Sequence, residues 1–344
     1  MMIGLAKGAS RSTLLLVANA SRRLPMRGLL HSEGYRPLFS GHETFALRQL
    51  WLKKAVDAVG HGVHSNRAPS GGAGRGRTKN VFSEDSAIVA LGVGKNMVGS
   101  IRHWATACDV LADVDGLPVP TAFGGRVFGE GGLDPYSEHP STLWLVHWKL
   151  AGGWAVHRTH RSTTWYWVFN HIHEQSFSAK TLLKSLDEYA RERGGKLSAA
   201  TLKRDIEVCM RCYVDRSETN SVDDFADSML GELGLISVQS RDEYALRRGP
   251  KSTLSDGAFL YALTEFWQAF APEQSTLSFE TIAYEIGSPG RVFKLDEDSV
   301  AARLIALDSL TKGAFLWSDS AGLRQLIRTK PLNLDTALEF AYAH

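Results

Sequence analysis

The chain has 344 residues, 44% hydrophobic and 22% charged, the balance of an ordinary globular protein. Three cysteines exclude a disulfide-built secreted scaffold, and no apolar run approaches the ~18 residues of a spanning helix. The net charge of +2 hides an asymmetry: residues 1–79 hold 13 Lys/Arg against 3 Asp/Glu, and the remainder is acidic. A basic front on an acidic body fits an anionic partner such as nucleic acid, and fits equally a basic tail with no partner.

Residues 1–37 read as a basic disordered tail, or as translation from a start placed too far upstream. Residues 1–32 contain no acid, and Leu14–Ala18 is short for a secretory core. Residues 38–175 read as an N-terminal helical domain. Within it, residues 60–80 are rich in Gly, Ser, Pro and Arg and are expected to form a flexible loop. A short helix is expected over Ser83–Leu91, with Ser83 as its N-cap. Gly92-Val93-Gly94 breaks it, and a longer helix follows with Met97, Ile101, Trp104, Cys108 and Leu111 on one face. Helix, glycine turn, helix is the pattern of a helix–turn–helix, whose second helix reads DNA with its first residues. Lys95 then suits a phosphate, and Asn96 a phosphate or an adenine edge. Thr142–Trp154 reads as a buried helix, with Trp165–Phe169 as its apolar partner.

The pattern recurs twice. Over 176–250, a helix at Thr181–Arg193 precedes one capped by Ser198, and Leu235–Val238 with Tyr244–Leu246 forms a candidate hairpin wing. An acidic linker, Asp215–Asp227, interrupts this unit. Over 251–330, a helix at Phe279–Ile286 precedes one capped by Asp296. Ala314–Trp317 and Leu323–Arg328 form the second wing. Residues 331–344 read as a tail. The expected class is mainly α, built from several helix–turn–helix or winged-helix-like units with small β-hairpin wings.

Cys209-x-x-Cys212 has no second pair to complete a zinc site, and Cys209 lies on an apolar helical stripe. No phosphate loop, zinc-protease motif or nucleophile elbow occurs. The carboxylates Glu43, Glu130, Asp134, Glu138, Asp205 and Glu207 are scattered, and phosphodiester cleavage by a metal needs several of them to converge.

Four stretches go beyond generic pattern. They are Phe39-Ser40-Gly41-His42-Glu43-Thr44-Phe45, Leu91 to Val98, Leu133-Asp134-Pro135-Tyr136 running with Glu138 into Thr142-Leu143-Trp144-Leu145, and Gly287 to Glu297. Together, in order over roughly residues 38–328, they resemble the bacterial domain-of-unknown-function family 4007. The resemblance implies association with sulfur-handling enzymes. One group in that family is similar to the nicking component of a single-strand DNA phosphorothioation system.

That implies DNA binding and nicking, so that sulfur replaces a non-bridging phosphate oxygen and marks self DNA in anti-phage defence. The implied partners are DNA and the sulfur-transfer and ATPase components, with a homodimer also expected. The implied place is the cytoplasm, with no membrane. The implied cofactor is Mg²⁺ or Mn²⁺, with no nucleotide cofactor. The motif residues His42, Glu43 and Arg48 are the candidates for phosphate chemistry, as acid or base, metal or water ligand, and charge stabiliser. The other reading makes the first motif a folding device, with His42 hydrogen-bonded, Glu43 capping a helix and the two phenylalanines in the core. Lys79, Asn80, Lys95, Asn96, Arg102, Lys203, Arg204, Arg291 and Lys294 are the candidate nucleic-acid contacts. A non-catalytic DNA-binding adaptor, a transcriptional regulator and a protein scaffold are the rival functions.

Overall fold

The computed structural model describes residues 28–65, 80–83, 86–153, 162–214, 228–320 and 322–343. The first part contains helices α1 (Trp51–Ser65), α2 (Ser86–Leu91) and α3 (Lys95–Ala107). It continues with strands β1 (Leu111–Val114) and β2 (Leu117–Pro120), then α4 (Ala122–Phe128). The helix expected to reach Leu111 ends at Ala107. Asp109 turns left-handed (φ 57°), and the Val110 N–H closes back onto the Ala105 carbonyl. Leu111 then starts a hairpin. Its turn is Asp115-Gly116, both residues at positive φ, as a two-residue hairpin turn favours.

Helices α5 (Pro140–Ala151) and α6 (Thr163–His171) form the centre. Every residue of α5 from Ser141 to Ala151 is buried, because neighbours cover all its sides. Trp144, Trp148, Trp165 and Tyr166 are core residues, as their setting in apolar stretches implies.

Two units of one topology follow. The first has β3 (Ser176–Ser178), α7 (Ala179–Glu192), α8 (Ala199–Tyr213), β4 (Ile236–Ser240) and β5 (Glu243–Leu246). After α9 (Asp256–Phe270), the second has β6 (Thr276–Ser278), α10 (Phe279–Tyr284), α11 (Pro289–Val292), α12 (Glu297–Leu310), β7 (Phe315–Ser320) and β8 (Leu323–Arg328). In each unit the first strand pairs antiparallel with the last, giving the orders β3-β5-β4 and β6-β8-β7. Phe177 lies opposite Tyr244, and Leu277 opposite Leu326. Helices make up about half of the described residues, and the small antiparallel sheets make the class mixed α/β rather than mainly α. The strands β3 and β6 are three residues long, too short to show a period of two.

Three boundaries differ from the sequence reading. Residues 60–65 continue α1, so the loop expected over 60–80 does not begin at Gly60. Residues 66–79 and the acidic linker 215–227 lie outside the described residues. Residues 28–37 are docked rather than tail-like: Leu29 and Leu30 are buried, and Arg193 donates to the Ser32 and Tyr35 carbonyls at 2.7 Å each. Residues 331–344 are not a tail either, since they hold α13 (Leu334–Tyr342), whose Ala337, Leu338 and Ala341 are buried.

Gly257 makes the docking of α13 against α9 possible. A Cβ there would lie 2.0 Å from the Phe340 carbonyl oxygen. Gly257→Ala should therefore lower stability by about 1–3 kcal/mol through overpacking. Hydrogen exchange should accelerate first in residues 334–342, while α5 stays protected.

Candidate functional site

The loop before α1 carries the first motif. Gly41 (φ 110°), Glu43 (φ 48°) and Thr44 (φ 68°) all adopt positive φ. For a glutamate and a β-branched threonine this costs about 1–3 kcal/mol each and persists only where surroundings enforce it. Here they do. His42 is buried, and the Thr44 N–H donates to its Nδ1 at 3.2 Å. The proton therefore sits on Nε2, which donates to Asp205 Oδ1 of α8 at 2.9 Å. The His42 carbonyl accepts the Ser100 hydroxyl of α3 at 2.8 Å, and the Trp104 indole donates to the Phe45 carbonyl at 3.1 Å. Arg211 of α8 donates to the Thr44 carbonyl. The loop thus joins α3 to α8. Gly41 is required at its position, because a Cβ there would lie 2.6 Å from His103 Nδ1.

The structure sets His42, Glu43 and Arg48 in different surroundings. His42 faces inward with both ring nitrogens engaged, and in this structure it positions the loop. Phe39 is buried and Phe45 packs against the core, as the folding reading of this motif requires. Glu43 caps no helix; it is exposed and lies over Gly99 of α3, where a Cβ would be 3.7 Å from its Cγ. Arg48 sits against the Phe45 and Trp51 rings, 5.9 and 5.5 Å from their centroids.

The candidate nucleic-acid contacts divide by burial. Lys95, Asn96 and Arg102 are exposed on α3, and Arg102 reaches Asp113 at 3.5 Å. Lys203 and Arg204 are exposed in the first two turns of α8, which Ser198 caps. Lys203 has a loose partner in Glu207 at 3.8 Å, a surface pair of little energetic weight. Asn80 is spent locally, its side-chain oxygen accepting the Phe82 N–H. Lys79 lies outside the described residues.

Arg291 and Lys294 are corrected. Arg291 donates to the Tyr284 and Asn170 carbonyls at 2.7 and 2.6 Å. Lys294 is buried, donates to the Phe169 carbonyl at 2.9 Å, and has its ammonium pushed down to about 7 by burial. Neither side chain presents a free cation to a phosphate. Both tie the turn after α10 to the end of α6, filling the open carbonyls of a helix terminus.

Two buried groups escaped sequence reading. Lys149 bridges Asp109 and Glu265 at 2.9 Å each, and its sign was a lysine inside an apolar helix. His147 accepts the Tyr213 hydroxyl on Nδ1 at 2.7 Å and donates from Nε2 to the Val292 carbonyl at 3.1 Å.

The three cysteines are buried, and burial raises their thiol pKa values. Asp134 accepts the N–H groups of Glu138 and His139 and so holds a turn. Among the described residues, no three His, Cys, Asp or Glu side chains converge as a metal cage.

A model of a family described as a protein of unknown function (DUF4007) matches residues 39–342. The chain belongs to that family. Two crystal structures of SspB, one of them magnesium-bound, are similar to it. Each is 26% identical and covers 91% of this chain and 88% of its own, with TM-scores of 0.73 for the magnesium-bound form and 0.75 for the other. No curated protein matches the chain. No described helix is long and apolar enough to cross a membrane.

Two predictions follow from this geometry. Removing the imidazole with His42→Ala strands a buried carboxylate, so the loss should be about 3–5 kcal/mol. Asp205→Asn keeps an acceptor for Nε2–H and should cost less; urea midpoints check the order. Separately, burial lowers the His147 pKa to about 3, below the ~6.5 of an unfolded histidine. The unfolded chain then binds more protons between those values. His147's contribution is complete above about pH 6.5 and is lost as pH falls toward 3, by up to ~1.4 kcal/mol per pH unit. The His147 ring resonances should stay neutral from pH 8 to pH 5.

Proposed function

We propose that this chain is the DNA-contacting component of an Ssp-type phosphorothioation system and nicks one strand so that sulfur can enter. The carrying observation is the clamped pair of helices: α3 and α8 expose Lys95, Asn96, Lys203 and Arg204 near their N-terminal ends, and the His42 loop holds the two helices together. The likeness to SspB supports the system. Two strand–helix–helix–hairpin units support a winged-helix reading, with α8 and α12 in the place of reading helices. Charge separates them. The first turn of α8 holds no acid, whereas α12 starts with Glu297 and Asp298 behind the Asp296 cap. Acid at that end repels phosphate, so DNA contact is assigned to α3 and α8 and not to α12.

In this reading Lys95, Lys203 and Arg204 neutralise phosphates, and Asn96 reads a base edge or a phosphate. Arg102 extends the same face of α3. Glu43 offers a carboxylate above that face, and Arg48 a guanidinium for phosphate charge. Magnesium commonly binds through one or two carboxylates together with substrate phosphates. In this reading Mg²⁺ or Mn²⁺ acts together with the bound DNA. The sulfur-transfer and ATPase components are the partners in this reading. The rival is a non-catalytic adaptor, favoured by one observation: His42, the candidate proton-transfer residue, is buried and fully bonded.

The test combines plasmid nicking with band-shift measurements across salt. Lys95→Ala and Lys203→Ala should each weaken binding and flatten the log–log salt slope by about 1. Open-circle product formed with Mg²⁺ or Mn²⁺, absent with EDTA and lost in Glu43→Ala, is the nickase outcome. Salt-dependent binding with no nicking under any metal establishes the adaptor instead.

A further inference from the structure

A cavity of about 520 Å³ lies between the end of α6, strand β3 and the first turns of α7. It is lined by the aromatic rings of Trp167, His171 and Phe177 and by the acids Glu174 and Glu243. Among the described residues, no lysine or arginine lines it. His171 adds no positive charge, because burial lowers its pKa to about 3. Trp167 stacks on His171 with ring centroids 4.8 Å apart, which fixes that wall. Glu243 is exposed and has no ion-pair partner among the described residues. Glu174, also exposed, accepts the His173 N–H on one oxygen and keeps the other.

The cavity borders an open sheet edge. β3 is the outer strand in the order β3-β5-β4. Gln175 and Leu246 form a hydrogen-bonded pair, the Leu246 N–H donating to the Gln175 carbonyl at 2.8 Å. Antiparallel pairs alternate, so Ser176, opposite Ala245, turns its N–H and C=O away from β5. Ser176 is exposed and lines the cavity. Two residues on, the edge is closed. The Thr181 hydroxyl accepts the Ser178 N–H at 3.2 Å and donates to the Ser178 carbonyl at 2.9 Å. That capping box also occupies the start of α7, whose positive end would otherwise favour an anion. The edge therefore offers one residue's pair of backbone groups beside an acidic, aromatic recess.

We infer that this edge and recess capture an extended, basic segment of a partner protein, which adds a strand at Ser176 and places an arginine or lysine among Glu243, Glu174 and Trp167. Charge chooses the occupant. An acidic wall repels the phosphates of a nucleic acid and attracts a side-chain cation. Tryptophan is the strongest ring partner for such a cation. Backbone pairing along an edge supplies affinity, and a side-chain recess beside it supplies choice. The volume falls within the ~300–1,000 Å³ of ligand sites, room for one long side chain and its backbone. The open edge is short and bordered by charge, which discourages pairing with any strand it meets. None of these residues lies on α3 or α8, which keeps this site apart from the proposed DNA contacts.

Calorimetric titration of the full chain would use an acetylated and amidated pentapeptide, Val-Thr-Arg-Thr-Val. Its controls are the same peptide with citrulline for arginine, the peptide with N-methylated backbone amides, and N-acetylarginine amide alone. The arginine peptide should bind saturably. Citrulline keeps the shape and removes the charge, so it should weaken binding about tenfold, and N-methylation should weaken it about fivefold. Glu243→Gln should cost about fivefold or more, and Trp167→Leu about threefold. Glu174→Lys combined with Glu243→Lys should instead select a glutamate-centred peptide, a gain that damage to the fold cannot produce. No saturable binding of the arginine peptide, equal binding of the citrulline peptide, or affinity indifferent to Glu243→Gln overturns the inference. N-acetylarginine amide binding as tightly as the peptide overturns the strand addition. Plasmid affinity should be unchanged in Glu243→Gln, because it rests on Lys95 and Lys203, so the two readings can fail separately.

Discussion

Everything assigned to α3 and α8 depends on one buried contact, the hydrogen bond between His42 and Asp205. The imidazole sits between two helices that are a hundred residues apart in sequence. Its ring reaches α8, its carbonyl receives Ser100 of α3, and its other nitrogen holds the Thr44 N–H. The loop can satisfy all three only with Gly41, Glu43 and Thr44 at positive φ. Local strain is thereby exchanged for a fixed relation between two helix N-termini. That relation decides whether their exposed cations address one partner or two.

Buried charge elsewhere fixes helix ends rather than chemistry. Lys149 reaches Asp109, the left-handed residue just beyond the end of α3, and Glu265 in α9. Arg291 and Lys294 fill carbonyls at the end of α6. A lysine out of water is costly unless its protons are taken up. Each of these cations is therefore bound to a geometry and unavailable at the surface. The candidate phosphate contacts that stay exposed include Lys95 and Arg102 on α3 and Lys203 and Arg204 on α8.

The two strand–helix–hairpin units show how a shared topology diverges. In the first, α8 begins without acid and turns Lys203 and Arg204 outward. In the second, α12 begins with Glu297 and Asp298, and hairpin Arg324 closes onto Glu280 and Glu297. The second unit thus pairs part of its acidic charge within itself.

Much of the secondary structure was legible from spacing alone. The apolar stripe Met97-Ile101-Trp104-Cys108 named α3 and its buried face, Ser198 and Asp296 were readable as caps, and both C-terminal hairpins fell between polar turns. The Asp115-Gly116 hairpin was not read, because the apolar spacing carried the preceding helix on to Leu111. The three-residue strands β3 and β6 were not read either, because they exist only through pairing with distant hairpins. Side-chain roles were decided by tertiary structure. Lys95 and Lys294 both follow glycine-rich turns and look alike in sequence, yet one is exposed and the other is buried on the Phe169 carbonyl. Sequence offers His42 as a candidate catalytic residue, and only the fold places Asp205 against its ring. Local periodicity and capping are properties of neighbours along the chain, so sequence alone determined them here. Burial, and therefore which charges remain free, depends on segments far apart in sequence, and only the folded chain determined that.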